Sequence, residues 1–263
     1  MNQIGIMQGR LLPHEIFEPQ LFPWAEWKKE FLQLSINNVK KIEWMFNYDN
    51  YQNNPLFDTE VIIDLCRKYN AEVSSVCMNF FMCQNILQTS VDDIMEKIIQ
   101  CAIKLGAKLI VIPLFEKSIV NGQIELKKVC DWLTGINDRQ GNLVKFALET
   151  ELDVLDLSGV LKDYENIGIC YDIGNATGFG YNTVQELVEG FEKELIYEIH
   201  IKDKDSNCST VLLGTGEAKI EECIGVAKDY HYKGNFILES YYRGLNSIQD
   251  TVDNINYIKK ILY

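Results

Sequence analysis

The sequence alternates short apolar runs with longer amphipathic segments, and the pair repeats eight times along the chain. This order is typical of strands followed by helices in a parallel sheet, and eight such units close into a barrel of about 250 residues. No linker or low-complexity tract separates the units, so we predict an α/β fold, a single (β/α)8 TIM barrel over residues 1–263. The predicted strands are Gln3–Met7, Val39–Met45, Glu72–Met78, Lys108–Leu114, Leu143–Glu149, Ile167–Asp172, Leu195–Lys202 and Asn235–Ser240.

The segments between these strands carry apolar residues at helical spacing. Asp58 is a predicted N-cap, Ser90 with Asp93 matches a capping box, and Gly106 is expected to end the helix that follows. An open, doubly wound sheet is the alternative fold, but it favours an early GxGxxG turn, which the sequence lacks. The predicted helices are Trp24–Leu34, Thr59–Tyr69, the segment from Ser90 to Leu105, Glu125–Asp138, Asp153–Tyr164, Thr183–Glu194, Ile220–Tyr230 and Ser247–Leu262.

Four successive apolar runs end in a carboxylate or an imidazole, at Glu149, Asp172, His200 and Glu239. The gaps of 23, 28 and 39 residues suit one residue per strand-plus-helix unit. Because the carboxyl ends of barrel strands share one face, these side chains are expected to converge there. Buried carboxylates in contact repel one another unless a cation or a proton lies among them. The oxygen-rich set favours Mn²⁺, Mg²⁺ or Co²⁺ over a metal that prefers thiolate.

Two further glutamates lie two residues from these candidates and share their strand face. Glu149 directly follows an apolar run, so it is preferred over Glu151, which lies further into the loop. Glu198 either supports His200 from deeper inside the barrel or points outward to a helix. The sequence leaves both orientations open.

Other polar residues are candidates for contact with a ligand. Glu43 ends the second strand, where it either contacts a ligand or seals the barrel floor. His14 lies on the long first loop, either in a structural role or against a substrate. Lys202 ends the same run as His200, and we expect it to contact substrate. The Gly-rich sequence at 213–216 could donate N–H groups to a phosphate, which is a weak signal on its own.

Charge and composition exclude several partners. The net charge of −13 argues against nucleic acid, since a protein that binds phosphate backbones needs a basic surface. No stretch of about 18 apolar residues could cross a membrane, and the start of the sequence does not resemble a signal peptide. Eight scattered cysteines without a CxxC pair are typical of reduced thiols. We therefore expect a cytoplasmic protein that binds neither nucleic acid nor membrane.

Short motifs at successive strands carry a resemblance to a known family. They are IGIMQGRL, KKIEW, SSVCMNFF, LIVIP, FALE, YDIGN, IHIKD with LGTGE, and FILES, which together span nearly the whole chain. In this order the sequence resembles the xylose isomerase-like TIM barrel superfamily. Within that superfamily it is most similar to the sugar phosphate isomerase/epimerase group, which includes ketose 3-epimerases and hydroxypyruvate isomerase.

The resemblance implies that Glu149, Asp172, His200 and Glu239 bind one divalent metal, commonly Mn²⁺, with Mg²⁺, Co²⁺ and Zn²⁺ as alternatives. It also implies that the two glutamates form the catalytic acid/base pair. One position departs from the pattern: many relatives carry a histidine where this chain has Asn175. Asparagine can hydrogen-bond a sugar hydroxyl but cannot transfer a proton at neutral pH.

The expected function is that of a metal-dependent isomerase or epimerase of a small sugar, ketose or sugar phosphate, with proton abstraction through a metal-stabilised enediolate. A dehydratase of a polyol ketone and a non-catalytic sugar-binding barrel are the alternatives. The DNA-repair endonucleases that share this barrel need a histidine-rich zinc cluster, which three histidines cannot supply. The identity of the sugar, its phosphorylation and the formation of a homo-oligomer stay open.

Overall fold

The computed structural model describes residues 3–13, 21–87, 91–240 and 247–263. The strands are β1 (Ile4–Met7), β2 (Lys41–Met45), β3 (Glu72–Cys77), β4 (Leu109–Leu114), β5 (Lys145–Thr150), β6 (Ile167–Asp172), β7 (Ile196–Ile201), β8 (Asp203–Lys204), β9 (Thr210–Val211) and β10 (Asn235–Leu238). Eight of them are parallel and form a closed barrel in the order β1-β10-β7-β6-β5-β4-β3-β2. The predicted TIM barrel is therefore confirmed. The short strands β8 and β9 form a separate antiparallel pair.

At least one helix follows each barrel strand along the chain. The helices are α1 (Trp27–Ile36), α2 (Thr59–Tyr69), α3 (Phe80–Cys83), α4 (Asp92–Leu105), α5 (Gln123–Arg139), α6 (Val154–Leu161), α7 (Ile173–Gly178), α8 (Thr183–Glu192), α9 (Ile220–Asp229) and α10 (Ser247–Leu262). Each longer helix buries one apolar face against the barrel. In α4, for example, Met95, Ile98, Ile99 and Ala102 are buried at the spacing of one helical stripe.

Several predicted boundaries differ from the observed ones. α1 begins at Trp27, because the N–H groups of Trp24 and Glu26 bond within a turn around Pro23. β5 begins at Lys145, and Leu143 before it is exposed. Gly106 ends α4 in the left-handed conformation as predicted, with φ of 80°.

The two predicted N-terminal caps have different outcomes. Asp58 directly precedes α2 as expected, but its side chain makes no capping hydrogen bond. Ser90 of the predicted capping box lies outside the described residues, and the residue that precedes α4 is Val91.

The short helix α7 and the β8–β9 pair were not predicted. α7 directly follows β6, and the Asp172 carboxylate caps it by accepting a hydrogen bond from the N–H of Asn175. Gly174 lets α7 lie close to the end of β7, because a Cβ atom there would come within 2.3 Å of Lys202 Cγ and 2.8 Å of its carbonyl oxygen. This contact places Asn175 beside the strand ends.

No described helix is long and apolar enough to cross a membrane. All eight cysteines are free thiols in the structure, in agreement with the prediction. Five of them are buried, namely Cys77, Cys101, Cys130, Cys170 and Cys223.

Candidate metal centre

The four residues at the predicted strand ends meet at the carboxyl end of the barrel. Glu149 lies near the end of β5, Asp172 ends β6, His200 lies in β7 and Glu239 directly follows β10. Their carboxylate oxygens and an imidazole nitrogen all lie within 4.8 Å of one another, and all four side chains are buried. Asp172 and His200 are register partners on adjacent strands. Residues that are 90 positions apart in the sequence thus form one cluster.

His200 stands at the centre of this cluster. Its Nδ1 atom lies 3.3 Å from Glu239 Oε2 and 3.7 Å from Glu149 Oε2. Nδ1 and Nε2 are both buried, and neither has the geometry of a hydrogen bond with a residue that the structure describes. An imidazole nitrogen that faces two carboxylates without a bond to either is well placed to donate its lone pair to a cation.

Lys202 is the nearest positive charge to the carboxylates. Its Nζ atom lies 2.8 Å from Asp172 Oδ2 and 2.8 Å from Glu239 Oε2, and the side chain is buried. Burial opposes the charged form, but Asp172 and Glu239 raise the pKa of Lys202 above its ordinary value. The single positive charge of Lys202 therefore faces three carboxyl groups.

The electrostatic environment separates the two glutamates. Burial raises the pKa of Glu149 to about 8, and the charge of Glu239 adds to the effect. Burial also acts on Glu239, but Lys202 and His200 outweigh it and hold the pKa of Glu239 well below its ordinary value. Near neutral pH, Glu149 therefore keeps its proton in the metal-free protein while Glu239 is ionised.

Asp172 and His200 are also shifted. Burial raises the pKa of Asp172 to about 6, with Lys202 opposing the shift. Burial disfavours the charged form of His200, but Cys170, Glu43 and Glu239 around the ring raise its pKa above the ordinary value. Every donor except Glu239 therefore binds a proton more tightly than it would in water.

The donor set fits a divalent metal. Three carboxylates and one imidazole lie within mutual reach, Nδ1 of His200 is unbonded, and the negative charge exceeds that of Lys202. Oxygen-rich sites with one imidazole suit Mn²⁺, Mg²⁺ and related ions. Glu151 is exposed and takes no part in the cluster, in line with the preference for Glu149.

Two of the predicted substrate contacts lie at the cluster. Asn175 donates from Nδ2 to Glu149 Oε1 at 3.0 Å, so its amide orients that carboxylate. Lys202 bridges Asp172 and Glu239, as described above. His14, the third predicted contact, lies outside the described residues.

Glu43, the fourth predicted contact, lies on β2 beneath the cluster and is fully buried. Its Oε1 atom lies 3.0 Å from His200 Nε2, on the side of the ring that faces away from Glu149 and Glu239. Glu198 also points into the barrel, where its carboxyl group lies close to Glu43 and His200, which settles the orientation that the sequence left open. Burial raises the pKa of Glu198 well above its ordinary value.

Arg10, which follows β1 in the motif QGR, was not among the predicted site residues. Its Nε atom donates to the backbone carbonyl of Glu239 at 2.8 Å, and the side chain is buried. Arg10 therefore fixes the chain at Glu239. The sequence shows an arginine shortly after the first apolar run. It does not show that the partner of this arginine lies 229 residues further along the chain.

The Gly-rich loop is hydrogen-bonded internally. Asp203 Oδ2 accepts from the N–H groups of Gly214 and Gly216 at 2.9 Å each, and its Oδ1 accepts from Ala218 at 3.0 Å. These N–H groups are engaged by a carboxylate of the protein itself. The predicted phosphate-binding role of this loop is therefore not supported.

Comparison with known proteins identifies the architecture. Residues 38–261 match the family model described as xylose isomerase-like TIM barrel. An L-ribulose 3-epimerase structure superimposes with a TM-score of 0.75 at 14% identity, covering 100% of this chain and 95% of the other. D-Allulose 3-epimerase from Methylomonas sp., in complex with D-allulose, gives 0.73 at 14% identity, with 98% and 96% covered.

A third similar structure is a xylose isomerase-like TIM barrel protein from Mycobacterium smegmatis in complex with magnesium. It gives a TM-score of 0.72 at 14% identity and covers 99% of this chain and 96% of the other. No curated protein sequence matches the chain. At these identities the superpositions establish the fold.

Proposed function

The chain belongs to the xylose isomerase-like TIM barrel family, and from this premise we propose that it is a divalent-metal-dependent isomerase or epimerase of a small ketose or sugar phosphate. The observation that carries the proposal is the buried cluster of Glu149, Asp172, His200 and Glu239 at the carboxyl end of the barrel. This face is where TIM barrels build their active sites. Structures of two ketose 3-epimerases and of a magnesium complex with the same fold support it.

The four clustered residues are the proposed metal ligands, and Mn²⁺ is the first candidate ion, followed by Mg²⁺, Co²⁺ and Zn²⁺. When bound, such an ion would polarise a substrate carbonyl and lower the cost of forming negative charge next to it. The protein supplies the remaining chemistry through its own side chains.

The two glutamates are proposed as the acid/base pair. Glu239 is held in its ionised form by Lys202 and His200 and can accept a proton from the carbon next to the carbonyl. Glu149 is proposed to return a proton, because burial makes its carboxyl group hold a proton more tightly than Glu239 does. Environments that push two carboxyl groups apart in pKa are a common basis for such a division of roles.

Asn175 and Lys202 are proposed substrate contacts. The Asn175 amide can hydrogen-bond a sugar hydroxyl while it orients Glu149. The Lys202 ammonium can donate to a substrate oxygen from its place between Asp172 and Glu239. His14 stays a predicted contact. Glu43 is separated from the cluster by the ring of His200, so we assign it a role through that ring.

The chemical step can be tested by turnover in D₂O with a panel of ketoses and their phosphates and added Mn²⁺. Proton abstraction predicts deuterium on the carbon next to the carbonyl, because a carboxylic acid exchanges with solvent between steps. Glu239→Gln should lower turnover by about 10²-fold or more. The matched control is Glu151→Gln, an exposed residue two positions from Glu149.

The outcomes separate the alternatives. A product that has lost water would indicate the dehydratase, and sugar binding without conversion or deuterium would indicate a non-catalytic barrel. Normal turnover in Glu239→Gln would contradict the acid/base pair. A cytoplasmic location and assembly into a homo-oligomer stay separate questions for fractionation and for sedimentation.

A further inference from the structure

We propose that Glu43 is the positioning residue of the metal centre: it binds Nε2–H of His200 and thereby presents the Nδ1 lone pair to the metal. This inference rests on the proposed function, because it assumes that His200 is a metal ligand. It gives a role to a buried carboxylate that the acid/base chemistry does not use.

The two nitrogens of the His200 ring face different partners. Nε2 lies 3.0 Å from Glu43 Oε1, below the ring, while Nδ1 faces Glu239 and Glu149 above it. The His200 and Glu43 side chains are both fully buried. Water therefore cannot take the place of either partner.

The chemistry of a neutral imidazole then decides which nitrogen carries the proton. The ring has one N–H donor and one acceptor, and an ionised carboxylate can only accept. If the proton were on Nδ1, the Nε2 lone pair would face a carboxylate oxygen at 3.0 Å in a dry interior, which is repulsive. A proton on Nε2 removes that repulsion and leaves Nδ1 free to bind a cation.

Glu43 is itself held from neighbouring strands. Ser75 on β3 donates from Oγ to Glu43 Oε2 at 2.8 Å, and the carboxyl group of Glu198 on β7 lies close to the same group. Asn235 on β10 donates to Glu198 Oε2 at 2.9 Å. Residues of β3 and β7 thus contact this carboxylate of β2 directly, and Asn235 of β10 holds Glu198 in place. Partners of this kind orient metal-binding histidines and raise their affinity for the ion.

A second cation is the competing explanation, because oxygens of Glu43 and Glu198 and a nitrogen of His200 also lie within 4.8 Å of one another. The hydrogen bonds from Ser75 and Asn235 already bind one oxygen of each carboxylate. Oε1 of each glutamate and Nε2 of His200 have no further hydrogen-bond partner among the described residues, but the 3.0 Å contact between Glu43 Oε1 and Nε2 pairs two of these three atoms, so we favour the positioning role. The stoichiometry of metal binding decides between the two explanations.

The test is calorimetric titration of the metal-free full-length protein with Mn²⁺. Wild type should bind one ion per chain, and Glu43→Gln should weaken binding by about 10–100-fold, the range for loss of a partner of a metal-bound histidine. Glu151→Gln is the control for the same substitution: this glutamate is exposed and lies outside the cluster, so affinity should stay close to wild type. Thermal unfolding of each metal-free variant checks that it is folded.

A second measurement reads the proton position directly. Long-range ¹H–¹⁵N spectra of histidine-labelled, Mg²⁺-loaded protein should show the His200 proton on Nε2. The chain has three histidines, so a His200→Gln variant assigns the signal. In Glu43→Leu, which has no acceptor at this position, the proton should move in part to Nδ1, and the chains with this proton should have lost the ion. If Glu43→Leu does not fold, the affinity of Glu43→Gln in the titration decides the question.

The results distinguish two kinds of failure. If wild type binds no divalent ion, the proposed function itself is contradicted. If wild type binds one ion while the Glu43 variants bind it equally well with the same His200 spectrum, only the positioning role is overturned. Two ions per wild-type chain, with one lost in Glu43→Gln, would replace the positioning role by a second metal site.

Discussion

At the scale of single residues, Lys202 sets the charge balance of the cluster. In the metal-free protein its ammonium and the proton on Glu149 together offset two of the three negative charges that the carboxyl groups could carry. The remaining charge would be balanced by a proton on His200, whose pKa is raised. A divalent ion that replaces these protons would leave three carboxylates against an equal positive charge from the ion and Lys202.

Lys202→Met should lower the free energy of unfolding of the metal-free protein by about 3–5 kcal/mol, because it leaves Asp172 and Glu239 without their buried partner. The loss should be smaller with saturating Mn²⁺, since the ion offsets the same carboxylates. Urea unfolding with chelator and with Mn²⁺ measures both values. Lys204→Met, two residues away, is the control, and an equal loss in both conditions would contradict this account.

The pH dependence of metal binding follows from Glu149. Its pKa of about 8 in the metal-free protein lies above the ordinary 4.5, so between these values only the folded state holds the proton. This contribution to stability is present below pH 4.5 and is lost as pH rises through 8. Because the ion must displace the proton, affinity should rise with pH over the same window.

Metal binding also displaces protons from Asp172 and His200, and this likewise makes the affinity for the ion rise with pH. Titration with Mg²⁺ at several values between pH 5.5 and 8.5 measures the slope. Glu149→Gln should flatten the part of the slope near pH 8. An affinity that is independent of pH, or that falls as pH rises, would show that the site does not bind these protons.

Much of this cluster could be predicted from the sequence, because each member ends an apolar run and parallel strands end on one face. The roles of Glu43 and Arg10 could not. Their partners lie on other strands, 157 and 229 residues away in the chain. Which atoms meet across a barrel depends on its register and closure, and neither is encoded in local spacing.

At the scale of elements, the strands were predicted best because each is a continuous apolar run with a polar boundary. α7 escaped prediction because Ile173–Gly178 contains two glycines and is too short for an amphipathic stripe. It forms because Asp172 caps it and because Gly174 allows close packing on β7. The cap is local, but the packing on Lys202 is tertiary, and that contact could not be predicted from the sequence.

Gly174→Ala should therefore destabilise the protein by about 1–3 kcal/mol, the usual cost of forcing an extra carbon into a packed site. The Cβ atom would meet the Lys202 backbone, which cannot move without disturbing β7. Weaker Mn²⁺ binding should accompany the loss, because Asp172 and Asn175 would shift.

The matched control is Gly135→Ala in α5, where a Cβ atom would meet nothing within 4 Å. Alanine is favoured over glycine inside a helix by up to about 1 kcal/mol, so this variant should be as stable as wild type or more so. Denaturant unfolding and calorimetry of both variants give the comparison. A Gly174→Ala protein with wild-type stability and affinity would mean that α7 is not held by this contact.

At the scale of the whole molecule, the barrel interior carries ionisable groups at positions that barrels commonly fill with branched apolar side chains. An ion that binds only the folded state stabilises it by mass action, by about 2.7 kcal/mol at a hundredfold excess over Kd. Removal of metal should therefore lower the melting temperature by about 5 °C or more for a chain of this size. Calorimetric scans with chelator and with Mn²⁺ test this, and coincident transitions after verified metal removal would contradict a tight site.

The loop that Asp203 anchors has a fixed base and an exposed tip. Its base is fixed to the barrel through the N–H groups of Gly214, Gly216 and Ala218. Its tip is exposed at Ser206–Ser209 and is bonded mainly to Asp205 within the same turn. Insertions and exchanges at such a tip disturb little of the fold. Descendants of this chain could thus vary the rim of the barrel mouth while the residues beneath it remain unchanged.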